Sequence, residues 1–455
     1  MRRGGLLTLL TPPIDSWNPG VIGGRGEYRK YLINRINECR NILWLNVGSQ
    51  EVKVYRVLRG VKAPQPPKPV DFKSRRGIPK SLANLAINTD QALALEEYAN
   101  FIRGRSRCFT VIGDRGRGKS ALIGLALTVY WRICGPVQIA ADIYGVQSLM
   151  RMLVKGLDTL KVKYKTVEYE GLIFRVQGPW FRIYFKHPSI AEPGVLIVID
   201  EAAAVGIARV RRLTWRSGKS ILATTVHGYE GSGRVFTNLL LDQLPRPLIV
   251  KELKLPVRYP PGDPLESWIY TTFMLKAEPP EIIHVKTPIE YVKLPPSTFS
   301  SDVELFSKAY SILVLAHYRN EPDDILMMLD APHHGLRGLK DRNGLVAVLE
   351  YSTEESSHPR AARLVLNKLE LYEPKLHESR GMRIVRIAVL PSLQRRGLGS
   401  TLLKRFEEEA LSEGFDWVGS IFSRHDVLEY WLKNGYRVFY VSPRYNKVTG
   451  EKKSL

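Results

Sequence analysis

Between residues 89 and 228, short apolar runs alternate with segments that have the hydrophobic periodicity of helices. The segment TDQALALEEYANFIR predicts a helix over 89–103 with Thr89 and Asp90 as candidate caps, and a second helix is predicted from Lys119 onward. Short apolar runs predict strands at 108–112, 138–143, 195–200 and 219–228. The run VLIVID is almost continuously apolar, which is typical of a strand that is covered on both faces. Strands that alternate with helices predict a mainly parallel α/β sheet.

The pattern changes after a proline-rich stretch, PVRYPPGDP, at residues 256–264. A hairpin is predicted over 335–352, because an Asn-Gly step follows Arg342 between two apolar runs. The other predicted elements are helices at 303–318, 323–329, 400–414 and 426–433 and strands at 382–391 and 417–422. This different order of elements predicts a second domain.

The N-terminal part contains two strand-like runs, 42–47 and 52–57, and then a stretch rich in proline and lysine at 62–80 that is typical of an extended connector. A chain of 455 residues is too long for one ordinary hydrophobic core. We therefore expect a short N-terminal region and linker over 1–80, one domain over 81–264 and another over 265–455.

The segment GDRGRGKS fits the phosphate-binding pattern GxxxxGK[ST] at every fixed position, and it stands between a predicted strand and a predicted helix. Glycines let backbone N–H groups curl around phosphates, and the start of the helix adds positive potential. The residues of this loop are Gly113, Asp114, Arg115, Gly116, Arg117, Gly118, Lys119 and Ser120. Lys119 is expected to reach the β- and γ-phosphates of ATP, and Ser120 to hold Mg²⁺. The alternative is an ordinary glycine-rich turn.

Two adjacent acidic residues lie at the end of the predicted buried strand 195–200. Asp200 ends that strand, where an acid can bind Mg²⁺, and Glu201 could orient the attacking water. Thr224 and Thr225 could sense the γ-phosphate at the end of the next strand. The alternative for each of these residues is a purely structural role.

A second glycine-rich loop, QRRGLGS, follows the predicted strand 382–391 and precedes a helix. It matches the acetyl-CoA signature [Q/R]xxGx[G/A] of the GNAT fold, in which backbone N–H groups at a helix start face a pyrophosphate. Its residues are Gln394, Arg395, Arg396, Gly397, Leu398, Gly399 and Ser400. The alternative is an ordinary loop with a glycine cap.

Acetyl transfer to an amine often requires a base that removes the proton of the amine. The candidates are His317, His333, His334 and Glu350. The sequence does not choose among them, since histidines in helices are more often structural.

The chain carries 67 Lys and Arg against 45 Asp and Glu, a formal net charge of +22. This charge favours a polyanionic partner, because cations that contact phosphates release condensed counterions. The three cysteines, Cys39, Cys108 and Cys134, have no zinc-like spacing and fit a reducing compartment. No apolar run approaches the length of a membrane span, so we expect a cytoplasmic protein without a membrane partner.

A phosphate loop and an acetyl-CoA loop in one chain resemble the tRNA(Met) cytidine acetyltransferase family. The matching segments include GDRGRGKSALIGLAL, VIDEAAA, LAHYRNEPDDILMMLDAPHH, VRIAVLPSLQRRGLGS and EYWLKNGY. The resemblance implies a RecA-like P-loop ATPase domain followed by a GNAT-fold acetyltransferase domain. It also implies ATP-dependent acetylation of cytidine N4 in RNA, with tRNA as the expected substrate and with acetyl-CoA, ATP and Mg²⁺ as cofactors.

The resemblance also assigns site residues. It implies that Gln91 and Arg258 contact ATP and that His317 is the catalytic histidine. For acetyl-CoA it implies Ile387, Ala388, Val389, Asp426 and Lys433 beside the loop. The family ending TGEH reads TGEK here, with Lys452 in place of histidine, and the chain ends soon afterwards. The sequence therefore does not determine whether the anticodon of tRNA(Met) is the target.

Two other functions fit the same motifs. One is an acetyltransferase for protein lysines or small amines that ATP regulates. The other is an RNA-remodelling ATPase whose GNAT domain is inactive. The net charge favours RNA over small amines, and the intact QRRGLGS loop argues against an inactive domain. The sequence leaves the oligomeric state undetermined.

Overall fold

A computed structural model of the 455-residue chain describes residues 11–12, 16–38, 42–46, 51–55, 78–130, 135–226, 234–259, 261–277, 279–280, 284–316, 322–422, 427–445 and 452–455. Cys39, Cys134, His317 and Asp426 lie outside the described residues. Among the helices of the described part, none is both long enough and apolar enough to cross a membrane.

The helices are α1 (Glu27–Asn37), α2 (Lys80–Ala83), α3 (Thr89–Arg103), α4 (Lys119–Tyr130), α5 (Gln147–Thr159), α6 (Ala202–Val205), α7 (Ile207–Arg216), α8 (Arg234–Asp242), α9 (Pro264–Thr272), α10 (Pro296–Ser301), α11 (Val303–Val314), α12 (Pro322–Asp330), α13 (Leu366–Leu369), α14 (Leu398–Ser412) and α15 (Leu428–Lys433). The strands are β1 (Ile42–Asn46), β2 (Glu51–Tyr55), β3 (Cys108–Gly113), β4 (Gly135–Ala140), β5 (Lys165–Tyr169), β6 (Leu172–Gln177), β7 (Phe181–Lys186), β8 (Leu196–Ile199), β9 (Lys219–Thr225), β10 (Leu248–Leu253), β11 (Glu290–Leu294), β12 (His334–Asp341), β13 (Gly344–Glu354), β14 (Gly381–Val389), β15 (Trp417–Ser420), β16 (Val441–Tyr445) and β17 (Lys452–Ser454).

The chain forms two compact units. The first contains residues 62–263, and the second contains 7–61 and 264–446, with short terminal pieces added to each. Helix α1 packs on α10 and α12 of the second unit. The hydroxyl of Tyr31 in α1 also donates to the carbonyl of Thr272, at the end of α9, at 2.6 Å. Helix α1 therefore belongs to the second unit by its contacts.

The first unit is built on a sheet with the strand order β10-β3-β9-β8-β4-β7-β6-β5. Every neighbouring pair from β10 to β7 is parallel, and β6 and β5 continue the sheet in antiparallel fashion. The predicted mainly parallel sheet is confirmed. The strands β5 to β7 were not predicted, and of these β5 is largely exposed and lacks an apolar run.

Buried aliphatic side chains on the central strands form the core of the first unit. Val111, Val198 and Ile221 are fully buried between helices that include α3, α4 and α5. Because β3, β8 and β9 are adjacent and parallel, their carboxyl ends meet at one edge of the sheet, where α/β proteins bind ligands.

The second unit is built on a sheet with the order β11-β12-β13-β14-β15. All its pairs are antiparallel except β14 with β15. The predicted hairpin is confirmed as β12 and β13, which turn at Arg342 and Asn343. Helix α14 packs on this sheet, where Phe406 contacts Tyr351 with ring centroids 5.1 Å apart.

Three predicted details differ in the structure. The cap of α3 is Asn88, whose side-chain oxygen accepts the backbone N–H of Gln91 at 3.0 Å, rather than Thr89 or Asp90. The strand expected at 138–143 is β4, Gly135–Ala140, and its pairing with β7 begins at Gly135. Helix α11 ends at Val314, earlier than the expected residue 318.

Candidate functional sites

The phosphate loop has the backbone that only glycine adopts readily. Gly116 and Gly118 have φ angles of +79° and +80°, in the left-handed region. A Cβ atom on Gly118 would lie 2.3 Å from Nε2 of Gln91, and one on Gly113 would lie 2.5 Å from the carbonyl oxygen of Leu253. The loop therefore requires these glycines for their torsions and for the close approach of neighbouring groups.

The ammonium of Lys119 is held inside this loop. It donates to the carbonyls of Gly113 at 2.9 Å and Asp114 at 3.1 Å, and to the hydroxyl of Thr225 at 3.1 Å. Thr225 in turn donates to a carboxylate oxygen of Glu201 at 3.0 Å. A continuous hydrogen-bonded chain thus joins the loop cation to the acid expected to orient water.

Glu201 also has an unusual backbone. Its φ of 51° lies in the left-handed region, which costs a non-glycine residue roughly 1–2 kcal/mol. Its N–H donates to a carboxylate oxygen of Asp200 at 3.2 Å. With this strained turn the two adjacent carboxylates have different partners: Asp200 contacts Ser120, and Glu201 contacts Thr225.

Ser120 and Asp200 lie together as the sequence predicted. The hydroxyl of Ser120 donates to a carboxylate oxygen of Asp200 at 3.0 Å. Burial, and then the negative charge of Glu201, raise the pKa of Asp200 to about 7. A hydroxyl beside a buried carboxylate supplies the hard oxygen ligands that Mg²⁺ takes, and a bound cation would stabilise the ionised carboxylate. The residues present therefore fit Mg²⁺.

Gln91 is almost fully buried and supports the phosphate loop. Its amide nitrogen donates to the carbonyl of Gly118 at 3.2 Å, and its amide oxygen accepts the N–H of Ile87 at 2.9 Å. Sequence reasoning missed the contribution of Asp90, whose carboxylate accepts the N–H groups of Lys254 and Leu255 at 2.8 Å each. These bonds fasten the start of α3 to the segment after β10. The adenine contact expected of Gln91 stays a prediction.

Arg258 lies directly beside the loop. Its backbone N–H and that of Val257 donate to the carbonyl of Gly116, at 3.1 and 2.8 Å. The side chain of Arg258 is exposed, and its Cβ would lie 3.2 Å from a Cβ on Gly116. The backbone of Arg258 is therefore fixed beside the loop, from which its exposed side chain can reach a phosphate.

In the second unit, the described pairing of β14 with β15 stops before the residues that were expected to bind acetyl-CoA. Strand β14 pairs with β15 only over Gly381–Ile384. The edge that carries Ile387, Ala388 and Val389 therefore meets no further residue of β15. On the opposite edge a register shift beside Glu350 bends the pairing of β14 with β13.

The loop after β14 turns tightly into α14. Arg395 has a φ of 59° and Gly397 a φ of 81°, and Leu398 begins the helix. The amide of Gln394 donates to the carbonyl of Val389 at 3.1 Å, which ties the loop to the end of β14. Arg395 and Arg396 are exposed. The first N–H groups of α14 and two arginines thus lie together, as an anion site requires.

Tyr430 of α15 is a residue that the sequence reasoning missed. A Cβ on Gly399 would lie 3.3 Å from its hydroxyl oxygen. This hydroxyl is buried and has no hydrogen-bond partner within the described part of the chain. Burial raises the pKa of Tyr430, so the group remains a phenol that can donate a hydrogen bond at the start of α14.

Lys433 lies at the exposed end of α15. Its ammonium pairs with the carboxylate of Glu429 at 2.8 Å, one helical turn earlier. The acetyl-CoA contact expected of Lys433 stays a prediction.

The three candidate bases that the structure describes lie close together. Nδ1 of His334 lies 3.1 Å from a carboxylate oxygen of Glu350, and Arg386 approaches the other oxygen at 3.4 Å. Burial alone would raise the pKa of Glu350, but the hydrogen bond with His334 and the charge of Arg386 outweigh burial and lower the pKa. Glu350 is therefore a carboxylate, and in the register it lies one residue from the pair Leu349 and Ile387.

His333 stacks edge-on against His334, with ring centroids 4.9 Å apart. Burial, and then the neighbouring His334 and His358, lower the pKa of His333 to about 4. The ring is therefore neutral at physiological pH and keeps a lone pair. A base of such low pKa accepts a proton less readily than one matched to the working pH.

A cavity of about 510 Å³ lies elsewhere in the second unit. Its walls come from the C-terminal half of α14, from β15 and from α15, and include Leu411, Trp417 and Trp431. None of the loop residues 394–400 line it. The cavity is therefore separate from the predicted acetyl-CoA loop.

Two family models match the chain. Residues 110–276 match "RNA cytidine acetyltransferase NAT10/TcmA, helicase domain", and residues 304–436 match "Acetyltransferase (GNAT) family". The first match contains the phosphate loop, and the second contains the QRRGLGS loop. The expected order of a P-loop ATPase domain and a GNAT domain is confirmed.

Relatives extend the match to nearly the whole chain. A protein of Aeropyrum pernix named tRNA(Met) cytidine acetyltransferase TmcA is 47% identical over 99% of this chain and 64% of its own length. Proteins of the same name from Thermofilum pendens and Pyrococcus abyssi are 34% and 30% identical, over 93% and 99% of this chain and 58% and 61% of their own lengths. The chain thus spans about three-fifths of the length of these relatives. Both loops are built as described and both models match in the expected order, so over nearly its whole length the chain is similar to the tRNA(Met) cytidine acetyltransferases.

Proposed function

We propose that this protein acetylates the N4 amine of cytidine in RNA, taking the acetyl group from acetyl-CoA and using ATP. One observation carries the proposal. A phosphate loop whose Lys119 is connected to Glu201 through Thr225 occurs in the same chain as an open strand edge followed by the glycine loop 394–400.

The acetyl half requires a nucleophile and a base. The N4 lone pair attacks the thioester carbonyl, the carbon–sulfur bond breaks, the thiolate leaves, and the base takes the N4 proton. The N–H groups at the start of α14, with Arg395 and Arg396, bind the pyrophosphate of acetyl-CoA. The base comes from His317, His333, His334 or Glu350. We favour a neutral histidine over Glu350, because Arg386 and His334 already engage that carboxylate.

ATP hydrolysis supplies free energy that acetyl transfer alone does not provide. Cytidine N4 is conjugated with its ring, and presenting the base to a pocket costs a few kcal/mol of unstacking. Lys119 and Arg258 contact the phosphates, and Gln91 the adenine. Ser120 and Asp200 would hold Mg²⁺, which would neutralise phosphate charge when bound, and Glu201 orients water. ATP turnover then rearranges the RNA or the protein around the bound cytidine.

The RNA substrate that we propose is tRNA, in the cytoplasm. Relatives that are 30–47% identical carry tRNA(Met) in their names, and the net charge of +22 suits a polyanion.

Mass spectrometry of nucleosides tests the proposal. The protein is incubated with unmodified tRNA transcript, acetyl-CoA, ATP and Mg²⁺, and the RNA is digested. We expect N4-acetylcytidine, its loss when acetyl-CoA is omitted, and a strong decrease when ATP is omitted or when Lys119→Ala replaces the native chain. Acetylated lysine or polyamine without acetylated RNA would overturn the proposal in favour of an amine acetyltransferase.

A further inference from the structure

Three segments of the first unit lie side by side at the edge of the sheet opposite the phosphate loop. They are residues 101–107, 207–219 and 242–247, which lead into β3, β9 and β10. These three strands are adjacent and parallel, so their first residues meet at one edge. Strand β3 has six residues, and about 3.3 Å per residue separates this edge from the phosphate loop by roughly 17 Å. A ligand at this edge is therefore distinct from ATP at the loop.

Arg107 joins the three segments. Its guanidinium donates to the carbonyls of Trp215 at 3.2 Å and Ser217 at 3.1 Å, and its backbone N–H donates to the carbonyl of Pro247 at 2.9 Å. Lys219 adds three bonds, from its ammonium to the carbonyls of Phe101, Gly104 and Ser106 at 2.7 to 2.9 Å. These two cations are structural, and they fix the backbone on which other cations stand.

Exposed cations of the same three segments form what we call the arginine patch, which comprises Arg103, Arg105, Arg211, Arg212, Arg216 and Arg246. All six are exposed. In the three segments Asp242 is the single acidic residue, and it lies 3.9 Å from Arg246 in an exposed pair that contributes little. Like charges on neighbouring segments repel one another. Such a patch is expected where a polyanion neutralises it.

An exposed indole lies within the patch. Trp215 is 52% exposed, and its Nε1–H donates to the carbonyl of Gln243 at 2.7 Å, which fixes the ring while leaving it accessible. Arg211 lies one helical turn before Trp215 on α7, and Arg212 one turn before Arg216. Cations that border an accessible aromatic ring are the combination that binds nucleic acid, since phosphates pair with the cations and bases stack on the ring.

We propose that the arginine patch with Trp215 binds the phosphodiester backbone of RNA and one stacked base, on the sheet edge away from the phosphate loop. This inference rests on the proposed function, because it takes RNA as the substrate. It adds the surface that holds the RNA and the two kinds of contact made there.

The test measures the affinity for unmodified tRNA transcript as a function of salt. The variant R212Q/R216Q/R246Q removes three patch cations. We expect the slope of log affinity against log salt to become shallower by about 2 to 3, at roughly 0.7–0.9 per lost phosphate contact. The matched control R151Q/K155Q/K165Q removes three exposed cations of α5 and β5, with the same change of net charge. The control should keep a slope close to that of the native chain.

Variants of Trp215 give a second measurement of RNA affinity, in which the number of cations stays the same. Trp215→Ala should weaken binding roughly fivefold to a hundredfold by loss of base stacking, with an unchanged salt slope. Trp215→Phe keeps an aromatic face and loses only the bond to Gln243, so it should bind close to the native level. A loss in the Phe variant equal to that in the Ala variant would indicate a structural role and overturn the stacking contact.

The outcomes separate this inference from the proposed function. If the native chain binds tRNA and forms acetylcytidine while the patch variant binds like the native chain or like its control, the patch inference alone is wrong. If poly-glutamate competes for the native chain as well as RNA does, the patch serves acidic proteins and the inference is again overturned. If the native chain neither binds nor acetylates tRNA, the proposed function fails together with it.

Discussion

Replacing Thr225 by valine should separate ATP binding from ATP hydrolysis. The hydroxyl of Thr225 accepts from Lys119 at 3.1 Å and donates to Glu201 at 3.0 Å, and valine removes both bonds with almost no change of volume. Lys119 keeps its bonds to the carbonyls of Gly113 and Asp114, so its position for the phosphates is largely retained. Glu201 loses the donor that orients it.

The magnitude follows from these contacts. Losing the orientation of the group that directs water should lower kcat for ATP hydrolysis roughly tenfold to a hundredfold, which corresponds to about 1.4–2.7 kcal/mol of barrier. KM should stay within about threefold. The two lost hydrogen bonds involve charged groups, so the free energy of unfolding should fall by about 1–3 kcal/mol.

The neighbouring threonine provides the control. Thr224 is fully buried, and its hydroxyl has no hydrogen-bond partner among the residues that the structure describes. Thr224→Val removes a buried hydroxyl that gains nothing from its position, so stability should be unchanged or higher by up to about 1 kcal/mol. Its kcat should equal that of the native chain.

Steady-state ATPase kinetics and denaturant unfolding are measured on the native chain, on Thr225→Val and on Thr224→Val. Equal losses of kcat in both valine variants would show that any change at the end of β9 impairs hydrolysis. A native kcat in Thr225→Val would refute the proposed link between Lys119 and Glu201.

Four further predictions concern both units. Lys119→Ala should abolish ATP hydrolysis and spare acetyl-CoA binding by calorimetry, and a native ATPase rate would contradict the phosphate loop. Gly399→Glu should raise the acetyl-CoA dissociation constant sharply while ATPase activity persists, since its side chain would meet Tyr430 and occupy the loop; a lowered melting temperature with unchanged affinity would instead indicate a helix cap. Tyr430→Phe should weaken acetyl-CoA binding without loss of stability, because the native hydroxyl has no partner in the described part of the protein, whereas unchanged affinity would remove Tyr430 from the site. Burial opposes ionisation of Glu409, but hydrogen bonds from Arg337, Lys293 and Tyr291 dominate and lower its pKa from 4.5 to about 2, so its stabilisation is present above pH 4.5 and is lost as pH falls towards 2. Because solvent screens this partly exposed cluster, Glu409→Gln should cost about 1–2 kcal/mol at pH 7 and progressively less below pH 4.5 in urea unfolding, and a deficit that does not vary with pH would contradict this.

The sequence by itself determined the elements whose signals are local. The glycines and lysine of 113–120 predicted the phosphate loop, because the torsions and the cation that phosphates need are encoded in eight consecutive residues. The same holds for the loop 394–400 and for the Asn-Gly turn after Arg342. The apolar run at 195–200 predicted a buried strand, and its last residue, Asp200, meets Ser120 as expected.

Only the tertiary structure decided the contacts between distant segments. The bonds that join Lys119, Thr225 and Glu201 depend on the order of β3, β9 and β8 in the sheet, which no local pattern encodes. The edge strand β5 is largely exposed and has no apolar run, because it is defined by its pairing with β6 and not by hydrophobic burial. The arginine patch arises in the same way, because three basic segments far apart in sequence become neighbours only when their parallel strands enter one sheet side by side.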